Sequence, residues 1–290
     1  MQLSLVELRF EIYFHRSNKT CRISLSLARY PERTGAMSDI AFVPTMGALH
    51  AGHQSLIHRA RELSDRVVVS IFVNPLQFEN SDDLAKYPRH PERDAEIAIA
   101  AGATEIWTPT VKEIYPSEDV ERISAGELGS RYEGSSRAGH FDGMLTVVDR
   151  LFAYVKPRYA IFGEKDFQQL TLIKSWVKRC EIPVEIIASP TVRDSAGLAL
   201  SSRNERLSPA ERAAALVIPS ALKVAIEERS VEAGRAHLKS EPNFTVDYFD
   251  FVDESTMAPK SDMRSAGRFI VAGWVNQVRL LDNMAMVATA

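Results

Sequence analysis

At 290 residues, 45% of them hydrophobic and 25% charged, the chain has the composition of a globular protein with room for one large core or two modest ones. Its formal net charge of −3 gives no basic footprint for nucleic acid or an anionic membrane, so a polyanion must be bound locally if at all. Cys21 and Cys180 are too few and too far apart for a disulfide framework or a structural zinc site, and the longest apolar run, 67–73, is far short of a membrane span.

The first residues are interrupted by Glu7, Arg9 and Glu11 and lack the apolar core of a secretory signal, so a cytoplasmic protein is expected. Through the first two thirds, β-branched runs alternate with amphipathic stretches, which predicts an α/β fold of βαβ units around a parallel sheet. IAFVPT (40–45) reads as a strand, 53–64 as a helix and VVVSIFV (67–73) as a buried strand. A helix over 91–103 meets a glycine stop, and TEIWTP (104–109) follows as a strand. The cycle resumes with a helix over 141–155, a strand over 159–163, a helix over 166–180 and a strand over 184–189. Two long connections, 74–91 and 111–140, break the rhythm and should frame a ligand crevice, since strand carboxyl ends do so in open α/β sheets. Ser208, Pro209 and Glu211 mark a helix start with a capping box. Strand-like segments 246–254, 267–275 and 278–282 then predict a smaller α+β unit. The division falls near residue 195, giving 1–195 and 196–290.

Five clusters could carry chemistry. In VPTMGALHAGHQSL (43–56) a strand, a tight turn with Gly47 and a helix starting near Gly52 would aim backbone N–H groups at an anion. His50 and His53 could add donors to phosphate; the competing reading makes them loop and cap residues, and a metal pair with His58 has less support. FGEKDFQQL (162–170) repeats the strand-to-helix pattern, with Lys165 to neutralise phosphate, Asp166 as a cap and Gln169 one turn on; the competing reading is a capped surface helix. LALSSRN (198–204) offers hydroxyl, amide and guanidinium donors suited to phosphates, or is a plain loop. In FVNPLQF (72–78), Asn74 and Gln77 could orient a polar substrate, while Asn74 also fits an Asx or Pro turn. Arg137 and His140 in SSRAGHFDG could meet a carboxylate or phosphate, or be solvated. Trp107, Trp176 and Trp274 read as core, while 79–83 and 227–232 read as solvated faces.

Together PTMGALHAGH, VSIFVNPLQF, YPR, GHFDGMLTVVDRLF, FGEKDFQQL, LALSSRNERLS and VRLLDN resemble, in order and over about residues 41–283, the blocks of the pantothenate synthetases. The resemblance implies a Rossmann-like nucleotidyltransferase domain with a smaller C-terminal α+β lid domain, a homodimer, and ATP with Mg²⁺. It implies that pantoate is adenylated by ATP, releasing pyrophosphate, and that β-alanine then displaces AMP. Met46, Gly47, Ala48, Leu49, His50, Ala51, Gly52 and His53 would line the ATP site. Gly163, Glu164, Lys165, Asp166, Val192, Leu200, Ser201, Ser202 and Arg203 would complete it. Catalytic roles are implied for His50, His53, Lys165, Ser201, Ser202 and Arg203, and substrate contacts for Asn74, Gln77, Arg137, His140 and Gln169. Ala138 and Ala196 stand where the family usually has Pro and Asp, and altered loop order is expected there. Residues 1–36 are an atypical lead-in, read as an extension, an insertion or a misassigned start at Met37. Other readings are a related nucleotidyltransferase that stops after nucleotide transfer, and a non-catalytic nucleotide-binding homologue.

Overall fold

A computed structural model describes residues 10–16, 19–25, 38–78, 84–85, 87–117 and 119–288, with backbone alone for 10–16 and 19–25. The region expected to be a solvated face at 79–83, and most of the atypical lead-in, lie outside the described residues. Five parallel strands make the main sheet: β3 (Ser38–Thr45), β4 (Arg66–Ile71), β5 (Glu105–Trp107), β6 (Pro157–Gly163) and β7 (Glu185–Ser189), in the order β5-β4-β3-β6-β7. An antiparallel hairpin of β1 (Phe10–Arg16) and β2 (Lys19–Leu25) extends the edge, with β2 parallel to β5.

The strand pattern explains the layers. In β3, Phe42 packs into one apolar cluster while Ala41 and Val43 pack into another, so successive side chains feed opposite faces. Helix α1 (Ala51–Leu63) and α2 (Pro91–Ala101) contribute Ile57, Ala60, Ala98 and Ala101 to the second cluster. After the short helices α3 (Val111–Ile114) and α4 (Glu133–Ser136), helix α5 (His140–Val155) covers the other face with α6 (Phe167–Arg179). Sheets covered on both faces carry near-continuous apolar strands, as VVVSI does here.

From β3 the chain steps outward to β4 and β5, then returns to place β6 on the opposite side of β3. That reversal is a topological switch point, and the carboxyl ends of β3 and β6 there frame a crevice.

The C-terminal region has its own core. α7 (Pro209–Ala215) starts at a capping box between Ser208 and Glu211, as the sequence predicts. It ends before α8 (Val217–Glu228), and Pro219 offers no N–H to the Ala215 carbonyl. α9 (Val231–Lys239) follows, and with α8 it packs on an antiparallel sheet ordered β10-β9-β8: β8 (Phe244–Val252), β9 (Gly267–Val275) and β10 (Val278–Met286). Leu222, Ala225, Phe249, Phe251 and Phe269 are fully buried there. Trp107 and Trp176 are core as expected; Trp274 is half-buried, with the Arg279 guanidinium 5.4 Å from its ring centre.

Candidate active site

The turn after β3 is fixed from outside. The buried Asp94 of α2 accepts the amides of Ala48 (2.9 Å) and Leu49 (2.7 Å), and Thr45 Oγ1 accepts that of Gly47 (3.3 Å). α1 then begins at Ala51, two residues before the predicted start, because His50 itself is its N-cap. Its Nδ1 accepts the Gly52 amide at 3.1 Å, and the His53 Nδ1 accepts the His50 amide at 3.3 Å, a capping box built from two imidazoles. Gly52 is required by this fold-back: a Cβ there would lie 2.8 Å from His50 Cε1.

These bonds set the protonation of both rings. A nitrogen that accepts carries no proton, so each neutral ring keeps Nε2–H as a donor. Burial first, then Lys165, lowers the His50 pKa to about 4; burial first, then His50, lowers that of His53 to about 3. At neutral pH the ligand-free site therefore presents two uncharged donors.

A second network orients Gln77. Asn74 Oδ1 accepts from Tyr115 Oη (2.8 Å) and the Leu76 amide (3.2 Å), while its Nδ2 donates to Gly143 O (3.0 Å) and Gln77 Oε1 (3.1 Å). All four valences of that side chain are filled. Since Tyr115 and the amide donate here, the flip of Asn74 is determined, and Gln77 must turn Nε2 toward the cleft, 2.9 Å from Met46 Sδ. His140 is 7% exposed; its Nδ1–H donates to Gln77 O (2.9 Å) and its Nε2 accepts from Arg137 (3.0 Å). Burial first, then the Arg137 charge, lowers its pKa to about 3.

From the other side of the switch point, β6 ends at Gly163 and a 3-10 turn, Glu164–Asp166, leads into α6. Asp166 occupies the N-cap position but makes no capping bond; half of its side chain is open, with Oδ1 3.7 Å from Lys165 Nζ. The enclosure of the cleft raises its pKa, but Lys165 and then Arg203 outweigh that and hold it below the usual carboxylate value. Ser201 caps a 3-10 turn over Ser202–Arg206, which turns Ser202 and Arg203 to the same cleft.

One cavity gathers Met46, His50, Gly52, His53, Asn74, Gln77, Arg137, His140, Gly163, Lys165, Asp166, Gln169, Val192, Leu200, Ser201, Ser202 and Arg203. Gly47, Ala48, Leu49, Ala51 and Glu164 do not line it. The first three are buried and their amides are taken by Thr45 and Asp94, so those three amides are not turned to the cavity. Ala51 points to solvent, and Glu164 faces Arg268 (3.5 Å). Asn74 and His140 line the cavity, yet their polar atoms are used by the protein, so each positions a neighbour, Gln77 or Arg137. The turn at Ala196 is closed by Asp194 Oδ1, which accepts the amides of Ala196 (2.9 Å) and Leu198 (3.0 Å), and Ala138 is exposed. Sequence reasoning missed Asp94, Tyr115 and Gln168. Gln168 accepts the Glu133 amide and donates to Leu128 O and Arg131 O, shaping the 128–133 loop. Its neighbour Gln169 carries the same letter and only the helical phase separates their roles.

Comparison with known proteins places this geometry. The family model "Pantoate-beta-alanine ligase" matches residues 18–285, extending upstream of the segment over which the sequence blocks are recognisable. A pantothenate synthetase of Acidothermus cellulolyticus is 46% identical over 266 residues, covering 88% of this chain and 88% of that protein. The crystal structure of a Thermus thermophilus pantothenate synthetase has a TM-score of 0.82 at 43% identity, covering 88% of this chain and 94% of that one. A Francisella tularensis pantoate–β-alanine ligase, solved with "Beta-gamma ATP and Beta-alanine", has a TM-score of 0.74 at 38% identity, covering 85% and 89%. The chain belongs to the pantoate–β-alanine ligase family.

Proposed function

We propose that this chain condenses pantoate with β-alanine through a pantoyl adenylate. A pantoate carboxylate oxygen attacks the α-phosphorus of ATP and pyrophosphate leaves; the β-alanine amine then attacks the acyl carbon and AMP leaves. The observation that carries this reading is the pair of neutral imidazoles held as Nε2–H donors beside Lys165, Ser201, Ser202 and Arg203. The first nucleophile is already an anion, so no base is needed there; what the step needs is donors aimed at charge that grows on the phosphoryl oxygens. Gln77, fixed as an N–H donor, suits a pantoate oxygen, with Gln169 lining the same cavity. Arg137, held by His140, supplies charge to the substrate carboxylate.

Among the described residues no three His, Cys, Asp or Glu side chains cluster to hold a metal, and Asp166 is the one acidic side chain lining the cavity. That donor set fits Mg²⁺ carried on the triphosphate with Asp166 as a protein ligand, since Mg²⁺ characteristically binds through one or two carboxylates plus phosphates. When bound, the ion neutralises phosphate charge. The proposal also includes residues 196–290 as a lid over the nucleotide, a homodimer, and a cytoplasmic location; among the described residues no helix is long and apolar enough to cross a membrane.

The test is isotope exchange between pyrophosphate and ATP. Pure protein with ATP and Mg²⁺ should exchange label only when pantoate is present; an absence of pantoate-dependent exchange overturns the reading.

A further inference from the structure

The C-terminal VRLLDN block is left without a task by the mechanism above, and it lies against the turn that carries Lys165. Asn283, at 4% exposure on β10, donates its two Nδ2 hydrogens to the carbonyls of Glu164 (2.9 Å) and Lys165 (2.8 Å). Its Oδ1 accepts from Arg268 Nη1 (2.5 Å). Arginine only donates and a carbonyl only accepts, so the sense of this amide is unambiguous. The clasp is itself braced. Asp282, 3% exposed, takes Arg193 in a two-pronged pair (2.6 and 2.8 Å) and accepts the Asn283 amide (2.7 Å). The Arg268 guanidinium lies 3.8 Å from the Phe167 ring centre and bonds Glu254 (2.8 Å).

We propose that Asn283 is a positioning residue for the adenylation step, acting through Lys165; this rests on the ligase reading above. The two carbonyls it holds flank the Cα of Lys165, so they set the direction in which that side chain leaves the backbone and hence where its ammonium meets the phosphates. The C-terminal sheet is in this way part of the phosphate-binding apparatus as well as a cover for it. A rigid support of this kind matters because an ammonium misplaced by about 1 Å loses much of its hold on the phosphates of bound ATP. The sense of the amide makes the proposal sharper. An aspartate at 283 has the same shape but would turn an oxygen toward two carbonyl oxygens, so it cannot substitute.

The experiment is steady-state pantoate-dependent pyrophosphate exchange by purified full-length wild type, Asn283→Ala, Asn283→Asp, Lys165→Ala and the double variant Lys165→Ala/Asn283→Ala. Thermal melts establish that each is folded. Losing two hydrogen bonds to the turn should raise the KM for ATP about tenfold in Asn283→Ala, with that for pantoate within about twofold. Asn283→Asp should be more impaired than Asn283→Ala. In the Lys165→Ala background the same replacement should change the KM for ATP by less than about twofold, because the side chain being positioned is gone. Should Asn283→Ala fail to fold, Asn283→Ser, which keeps one donor, takes its place in the same cycle. An unchanged KM for ATP, or an equal effect with and without Lys165, overturns the proposal. Wild type without pantoate-dependent exchange overturns the ligase reading instead.

Discussion

Both oxygens of Asp94 are taken up by the amides of Ala48 and Leu49, so one side chain on α2 decides where the histidine turn sits. Asp94→Ala leaves two amides without a partner in a buried place, at a cost of about 1–3 kcal/mol each. Urea unfolding should show that loss, and exchange should fall with it; an unchanged midpoint contradicts the assignment. His53→Ala should lower adenylation by about 10²-fold, the scale for removing one transition-state donor, with the fold retained. The imidazoles also predict a pH response. His50, His53 and His140 have folded pKa values near 4, 3 and 3 against 6.5 for the unfolded chain. Below 6.5 the unfolded state binds protons that the folded state refuses, so stability is complete above that pH and is lost as pH falls toward 3. In NMR titrations of the protein their Cε1–H signals should stay at neutral-imidazole positions down to about pH 5, above all three folded values; a midpoint at the unfolded value contradicts the cap geometry for His50 or His53 and the burial beside Arg137 for His140. At this scale His50 and His53 were legible from H-x-G-H between a strand and a helix. Asp94 was not, because an acid in a first helical turn is ordinarily explained by the helix itself.

The long connection 111–140 shows what element-level reading finds and misses. Its length marks it as functional, but not that it carries α3 and α4, nor that Tyr115 reaches back 41 residues to Asn74. α5 is placed against the Pro75–Gln77 turn by a missing side chain: a Cβ on Gly143 would lie 2.2 Å from Leu76 O. Gly143→Ala should therefore push the turn away, at about 1–3 kcal/mol of overpacking, and raise the KM for pantoate through Gln77. Kinetics with pantoate varied at saturating ATP measures this, and an unchanged KM contradicts the placement of Gln77. The main strands and helices were legible because period-2 and period-3.6 patterns are local. The start of α1 at Ala51 falls one or two residues ahead of the sequence expectation, and His50 takes the cap role that the competing reading of the turn offers.

Across the whole molecule, the C-terminal sheet is fastened to α4 by buried charge. Arg279 on β10 pairs with Glu133 of α4 (2.6 Å) and with Asp247 (2.5 Å), while Tyr248 Oη donates to Glu133 Oε1 (2.8 Å). Glu133 is 5% exposed and keeps only the more distant Arg137 (3.8 Å) as a cation once Arg279 is gone, so Arg279→Met should destabilise the fold by about 3 kcal/mol, partly recovered in Arg279→Met/Glu133→Gln. Thermal melts would show that order, and a single variant as stable as wild type contradicts it. The strands of the small antiparallel sheet were legible as strand-like segments; their fastening was not, since Glu133 and Arg279 are 146 residues apart. The central claim, that a pantoate carboxylate oxygen attacks the α-phosphorus, is tested most directly with pantoate carrying ¹⁸O in both carboxylate oxygens. Mass spectrometry after complete turnover with ATP and β-alanine should find one ¹⁸O in AMP and none in pyrophosphate. Unlabelled AMP, or label in inorganic phosphate or pyrophosphate, would contradict it.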